Sequence, residues 1–542
     1  METTFPRQEA RAALFEDYRS RGLWGPRPFD EVLREGCVER WPDHEFLVAS
    51  MARPAETTYG KLHERGQGIA GALHALGLRK GDVLAMEMPN WIEGCEVYLG
   101  AAALGLVVVP IIHIYKSAEV EFILRQSGAK AFVVPDRWTS VEYLPMLEEI
   151  RPRLPDLEHV IVVGDEVPDG CLRYEDVASG ATREFPRPDL SPDEPHILAY
   201  TSGTTAEPKG VVHSHNTLFA ECRAIAATSG GDDHDVFLCP SPLGHIAGIY
   251  SALISPFLLG YRKLILMDGW DPKWALDLIS EHRVTRTGGA TFFLMTMITH
   301  PDYANTDTSS MELFGVGGAN IQSFLLEQAE QLGLFTIRSY GCTEHPSITM
   351  GGLTDPADKR IHTDGRAMDD IELRLVDDEG NDVPAGEDGE IVTRGPDQCL
   401  GYVDAHLDEE SFDADGWFHT GDVGRLDDEG YLTITDRKKD IIIRGGENIS
   451  AREVEEVLVR HPKVLEAAVT FVPDPKYGER VCAFVIFSGK EAPTLEEIVQ
   501  HFAEQGVAKQ KTPERLEIVA EFPRTLAGKV QKHLLRAQLA DA

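Results

Sequence analysis

Between Tyr59 and Val134 the chain switches repeatedly between helix-like and strand-like stretches, and that alternation limits the possible fold more than any other feature. The series runs GQGIAGALHALG, VLAMEM, WIEGCEVYLGAAALG, LVVVPI, AEVEFILRQSG, KAFVV. Short apolar runs separated by helical segments predict parallel strands covered on both faces, the rhythm of an α/β protein. The rhythm pauses at the Pro- and Asp-rich stretch Pro186 to Pro195 and resumes with RKLILM, a helical segment near Trp274 to His282, and TIRSY. A second α/β layer is implied. From Ile371 to Arg444 the pattern is β-rich, with IELRLVD, GEIVTRG and YLTITD set between Gly- and Asp-containing turns. The remainder reads as helix AREVEEVLVRH, strands EAAVTFV and VCAFVIF, and helix TLEEIVQHFAEQG, a small α+β unit.

A chain of 542 residues exceeds what one hydrophobic core organises. The expected class is therefore α/β, with a large N-terminal domain of two layered α/β subdomains plus a β-rich subdomain, and a small, mobile α+β C-terminal domain. The boundary is placed in the charged DRKKD, dividing residues 1–436 from 437–542.

Net charge is -37, which repels nucleic acid and anionic membrane at long range and makes each basic residue inside a motif more informative. Cys37, Cys95, Cys171, Cys222, Cys239, Cys342, Cys399 and Cys482 are scattered without a CxxC pair, which favours reduced thiols in a cytosol. The start, METTFPRQEARAALFEDYRS, has no apolar stretch after a basic opening, so a cytoplasmic location is expected rather than secretion. The run Ala101 to Ile114 is too short to span a bilayer, is interrupted by Pro110 and His113, and reads as buried core.

One loop points to chemistry. YTSGTTAEPKG, Tyr200 to Gly210, follows the apolar HILAY and gathers hydroxyls, glycines and a lysine. Backbone N–H groups, the hydroxyls of Ser202, Thr204 and Thr205, and the Lys209 ammonium suit the oxygens of a polyphosphate. The string is not a Walker loop, because Pro208-Lys209-Gly210 stands where Gly-Lys-Ser/Thr is required. Alone, it also fits a polar surface loop.

Four further segments narrow the choice: YGCTE at Tyr340 to Glu344, GWFHTGDVG at Gly416 to Gly424, TDRKKDIIIRGGENI at Thr435 to Ile449, and PRTLAGK at Pro523 to Lys529. With YTSGTTAEPKG, and in this order, they resemble the core motifs of the adenylate-forming superfamily of acyl-CoA synthetases, adenylation domains and luciferases, over roughly residues 30 to 540. The resemblance implies an ATP-dependent carboxylic acid:CoA ligase. It forms acyl-AMP and pyrophosphate, then acyl-CoA and AMP, with ATP, Mg²⁺ and coenzyme A as cofactors or co-substrates. Attack on the α-phosphorus depends on positioning and charge neutralisation.

Carried over by position, Thr201, Ser202, Gly203, Thr204, Thr205 and Lys209 form the phosphate loop, and Gly318, Ala319 and Asn320 approach the adenine. Tyr340 and Gly341 lie near the base, and Asp422 with Arg437 takes the ribose. Glu344 holds Mg²⁺ together with Thr204, and Thr343 contacts the α-phosphate. Lys439 falls at the hinge, Gly446 lets pantetheine pass, and Lys529 is the catalytic lysine. His245 matches a position between acid pocket and thiol tunnel, although a histidine beside apolar residues also fits a satisfied core group. Val316, Gly317, Cys342 and Met350 join Gly341 as acyl neighbours by position.

The pattern departs at Ala206, where glycine is usual, at Cys399-Leu400-Gly401-Tyr402, which lacks the commoner methionine, and at Ala290-Thr291, which replaces a frequent proline. These put pocket shape in question, not the reacting groups. PLGHIAGIY and GGATFF carry no acidic residue to pair with an α-ammonium, so the expected substrate is an aliphatic or alicyclic acid. The alternatives are a stand-alone adenylation enzyme that loads a carrier protein, a luciferase-like oxygenase, and an acyl-nucleotide-binding regulator without turnover. Oligomeric state stays open, a homodimer included.

Overall fold

Helix Ile92–Leu104 is apolar apart from Glu93 and Glu96, which pair with Arg53 and Arg65, and it is buried along its whole length. It lies against helix Tyr59–Ala75. A Cβ on Gly66 would come within 2.7 Å of the Leu99 Cβ, and one on Gly100 within 2.9 Å of the Ala70 backbone nitrogen. Glycines let these two helices approach almost backbone to backbone, which in turn makes room for a sheet on each side.

The computed structural model describes residues 8–180, 184–201, 208–318, 321–445, 447–489, 491–524 and 530–540. Among them, the helix pair separates an eight-stranded sheet from a nine-stranded one. In the first, strands Val83–Met86, Val107–Pro110, Ala131–Pro135 and His159–Val163 run parallel. Strand Pro195–Thr201 joins parallel to Val107–Pro110 and turns back antiparallel through Lys209–Ser214. The second sheet is parallel across Lys263–Met267, Val236–Cys239, Arg286–Gly289, Leu313–Val316 and Thr336–Tyr340. It also takes strand Glu45–Ala49, parallel to Lys263–Met267. That early strand lies outside the alternation that the sequence displays; it is recruited across more than two hundred residues because its apolar side chains complete the same sheet face.

One core lies between the two sheets, and helix Ser117–Ser127 covers the far side of the first and helices Pro272–His282 and Thr291–Ile298 the far side of the second. The run Ala101–Ile114 divides between the end of helix Ile92–Leu104 and strand Val107–Pro110. Among the described residues, no helix is long and apolar enough to cross a membrane. All eight cysteines are unpaired, and six of them are buried.

A four-stranded antiparallel sheet, Glu372–Val376, Asp388–Arg394, Phe418–Leu426 and Leu432–Arg437, follows. After Arg437 the chain leaves it, and from Ile442 it contributes to a five-stranded sheet packed by helices Ala451–Leu458 and Leu495–Glu504. This α+β unit touches the main body where Arg452 Nη2 lies 3.8 Å from Asp364 Oδ2, and the Ser450 hydroxyl donates to the Thr435 carbonyl at 2.6 Å. Arg536 on helix Lys532–Ala540 pairs with Asp440 at 3.2 Å, just past Lys439.

Candidate functional site

The segment that carries YGCTE leaves the carboxyl end of strand Thr336–Tyr340, next to the parallel end of Leu313–Val316, the edge where open α/β sheets hold ligands. Gly341 is required sterically: a Cβ there would lie 2.0 Å from the Pro346 carbonyl oxygen. The turn closes through Cys342 N–H to the His345 carbonyl at 3.0 Å and Ile348 N–H to the Tyr340 carbonyl at 2.7 Å. Two outside groups then hold its peptide planes. His213 Nε2 donates to the Thr343 carbonyl at 2.7 Å, and Cys399 N–H donates to the Glu344 carbonyl at 2.7 Å. Burial depresses His213 to about 4, so the ring is neutral. Because the carbonyl can only accept, the proton sits on Nε2, and Nδ1 faces the Thr217 hydroxyl at 3.0 Å.

The Glu344 side chain is 9% exposed and accepts from the Tyr402 hydroxyl through Oε1 at 2.6 Å. Burial, then the Glu344 charge, push the Tyr402 phenol far above its ordinary range, so it remains a donor. Lys209 Nζ stands 5.7 Å from the centre of the same ring, a cation–π distance. Tyr402 thus ties the lysine that ends the phosphate loop to the carboxylate of YGCTE. Strand pairing places it there, since Val211 and Val212 register with Tyr402 and Gly401.

Asp422 and Arg437 are directly opposite one another on antiparallel strands Phe418–Leu426 and Leu432–Arg437, which brings Arg437 Nε to 2.9 Å from Asp422 Oδ1. The Tyr340 hydroxyl donates to the other oxygen, Oδ2, at 2.8 Å. Each carboxylate oxygen retains acceptor capacity beyond these bonds, which is what a vicinal diol needs. Cys342 lies between the two clusters: burial first, then Glu344, with Asp422 adding further, hold its thiol well above the usual range and therefore neutral.

The remaining expected positions divide. Gly318 follows strand Leu313–Val316 with φ at +77° and nothing within 4 Å of where a Cβ would be, leaving open space above the backbone. Thr201 registers opposite Lys209. His245 caps helix Ile246–Leu253, its Nδ1 accepting from Ala247 N–H at 3.2 Å, so it has a local structural task whatever else it touches. Lys439 is exposed beside Lys438, whose Nζ reaches Glu390 at 2.8 Å. Ser202, Gly203, Thr204, Thr205, Ala319, Asn320, Gly446 and Lys529 lie outside the described residues. Tyr402 and His213 were not anticipated. The CLGY segment stood out only for lacking methionine, and His213 is an isolated histidine in an apolar strand.

Two family models match the chain: "AMP-binding enzyme" over residues 35–403 and "AMP-binding enzyme C-terminal domain" over 453–529. The chain belongs to the AMP-binding, adenylate-forming enzyme family. Over 542 aligned residues it is 34% identical to the medium-chain fatty-acid–CoA ligase of Escherichia coli (strain K12), covering 99% of this chain and 94% of that one. The salicyl-AMP ligase / salicyl-S-ArCP synthetase of Mycobacterium tuberculosis (strain ATCC 25618 / H37Rv) is 32% identical, with 97% and 93% covered. In structure it is similar to the anthranilate CoA ligase AuaEII in complex with anthranoyl-AMP, at a TM-score of 0.86 and 27% identity, covering 96% and 98% of the two chains. This member of the family is thus an acid–thiol ligase of the AMP-forming type. The α/β architecture with a small C-terminal unit is the family's own.

Proposed function

We propose that this family member activates an aliphatic or alicyclic carboxylic acid with ATP and transfers the acyl group to coenzyme A. The acid's oxygen attacks the α-phosphorus and pyrophosphate leaves; the CoA sulfur then attacks the acyl carbon, AMP leaves with the bonding electron pair, and the thiol proton passes to solvent. The observation that carries this reading is the pair of carboxylates flanking Cys342: Glu344, oriented by Tyr402, and Asp422, oriented by Tyr340 and Arg437. Asp422 takes the ribose and Glu344 serves the phosphates. Among the described residues no group of three metal-ligating side chains includes Glu344. A lone carboxylate suits Mg²⁺, which prefers phosphate oxygens and water for most of its shell and would neutralise polyphosphate charge.

In this reading the domain boundary lies in the charged DRKKD, dividing residues 1–436 from 437–542, with the hinge at Lys439; Lys529 acts during adenylation, and Gly446 lines the thiol's path in the second step. The substrate class is supported by the likeness to a medium-chain fatty-acid ligase. It is supported also by chemistry, because the segments PLGHIAGIY and GGATFF carry no acidic residue to pair with an α-ammonium. Glu221 is buried in the helix His215–Ser229, but Ser347 occupies its carboxyl, and burial, with Asp397 nearby, pushes it towards the neutral acid. The likeness to a salicyl-AMP and carrier-loading enzyme supports a second reading, aryl or carrier-directed transfer. AMP release from a panel of aliphatic, alicyclic, aromatic and amino acids, with and without CoA, separates them. CoA-dependent release led by aliphatic or alicyclic acids is expected. Release led by amino acids, or adenylate formation indifferent to CoA, overturns the assignment.

A further inference from the structure

Behind the Thr343–Glu344 turn, three ionisable side chains from distant parts of the chain meet without solvent. Glu221 is on helix His215–Ser229, His345 is in the turn, and Asp397 follows strand Asp388–Arg394. Their exposures are 0%, 0% and 1%. Ser347 Oγ donates to Glu221 Oε1 at 2.6 Å, and His345 Nε2 donates to Asp397 Oδ1 at 2.9 Å. The other two carboxyl oxygens, Glu221 Oε2 and Asp397 Oδ2, are both buried without a hydrogen-bond partner among the described residues. The two carboxyl groups are close enough for the Asp397 carboxyl to act on Glu221 directly. Two adjacent bare carboxylates in a dry site would repel each other strongly, and a proton on one of them would turn that repulsion into a hydrogen bond between the two unpartnered oxygens.

We propose that Glu221 and Asp397 share one buried proton, and that this pair is a positioning device for the catalytic turn, gripping it at Ser347 and at His345 on either side of Pro346. The proton resides on Glu221, whose burial and whose neighbour Asp397 both favour the neutral acid. Asp397 faces His345, whose other nitrogen lies 3.3 Å from the Thr393 hydroxyl. The arrangement is a chain: Ser347 to Glu221, Glu221 to Asp397, His345 to Asp397. Its members belong to the helix, the turn and the antiparallel sheet, so it locks three layers of the main body at the point where Thr343 and Glu344 leave the strand. Among the described residues Tyr250 and Cys222 also face Glu221 and are driven up by burial, so both stay neutral, and His213, which faces Asp397, is held neutral by burial as well.

The inference rests on the reading of this turn as part of the ATP site, and the test separates the two. Glu221→Gln preserves the pattern of a neutral acid, an acceptor for Ser347 and a donor for Asp397; Glu221→Leu removes both. Acid-dependent ATP–pyrophosphate exchange should stay within about threefold of the parent in Glu221→Gln. In Glu221→Leu it should fall on the order of 10²-fold, as displacement of a reacting group by about 1 Å does, with weaker Mg-ATP binding by calorimetry. Conversion of synthetic acyl-AMP and CoA to acyl-CoA should be near parental in both. Should Glu221→Leu not fold, Ser347→Ala, which removes one link only, gives the same split in smaller measure. The infrared carbonyl absorption of protonated carboxyls in the parent should lose one component in Glu221→Gln, while the component of another buried neutral acid, Glu87, stays. Equal loss in the Gln and Leu variants, full exchange in Glu221→Leu, parallel loss of both half-reactions in a folded variant, or an absorption unchanged in Glu221→Gln would each overturn the proposal. Loss of that component together with a parent that shows no exchange with any acid overturns the proposed function instead; the component then decides the shared proton and Mg-ATP binding decides the positioning.

Discussion

Replacing Tyr402 with Phe removes one oxygen atom and nothing else from the candidate site. The ring stays packed in its small cluster with Cys399, Phe412 and Phe418, and under Lys209, so the fold should survive with a modest loss of stability. What disappears is the 2.6 Å hydrogen bond to Glu344, between a hydroxyl on a residue 2% exposed and a carboxylate on a residue 9% exposed. Water has little access to replace that donor. A hydrogen bond to a charged group is worth about 1.5–3 kcal/mol, more when the orphaned partner stays buried. If the bond orients Glu344 equally in substrate and transition-state complexes, the loss appears in the KM for Mg-ATP. If Glu344 is needed most as charge develops on the phosphates, it appears in kcat. Either way, at about 1.4 kcal/mol per factor of ten, kcat/KM for ATP in pyrophosphate exchange should fall by roughly 10- to 100-fold in Tyr402→Phe. The KM for the acid should barely change. Thermal unfolding monitored alongside would verify that the variant is folded. A folded Tyr402→Phe enzyme whose exchange kinetics match the parent would refute the idea that Tyr402 orients Glu344.

Four other perturbations address separate parts of the site. Asp422→Asn keeps the shape but loses the charge that pairs with Arg437, and should raise the KM for ATP by roughly 10- to 100-fold with a smaller change in kcat; an unchanged KM would remove Asp422 from nucleotide binding. Lys529→Ala should lower adenylation on the order of 10²–10³-fold and spare thioester formation from synthetic acyl-AMP, and comparable loss of both half-reactions would contradict its assigned task. Lys439→Pro, by fixing φ near -65°, should impair one half-reaction more than the other, and equal impairment in a folded protein would argue against a hinge there. Burial depresses His63, His113 and His213 to about 4 and His215 to about 3. Unfolded, these rings titrate near 6.5, so the unfolded chain binds more protons below that pH. Each ring therefore withdraws up to about 1.4 kcal/mol of stability per pH unit as pH falls from 6.5 towards its folded value. The urea midpoint should drop steadily from pH 6.5 to 4.5, and a flat midpoint across that window would show that these rings are not buried neutral.

The sequence by itself determined the class of fold and the kind of chemistry. Alternation between Tyr59 and Val134 is a local property, because each helix or strand must present its apolar residues at its own period to be buried, and the strands appear where the pattern puts them. The motifs were legible for a related reason: YTSGTTAEPKG and YGCTE concentrate glycine, hydroxyl and charged residues where a core would have none. Asp422 and Arg437 could be named from their motifs, and antiparallel register then set them face to face. Periodicity does not say which distant segments meet. Strand Glu45–Ala49 gives no sign of its partner Lys263–Met267, and Tyr402 reaches Glu344 only because a two-residue strand pairs with the end of the phosphate-loop hairpin. Glu221 is the plainest case. On its helix it reads as an ordinary acidic residue, and only the packing of the turn and the antiparallel sheet around it excludes water, brings the Asp397 charge near and so favours a neutral acid. Protonation and orientation at such a point follow from desolvation and from contacts between remote segments, and both exist only once the sheets have closed on one another.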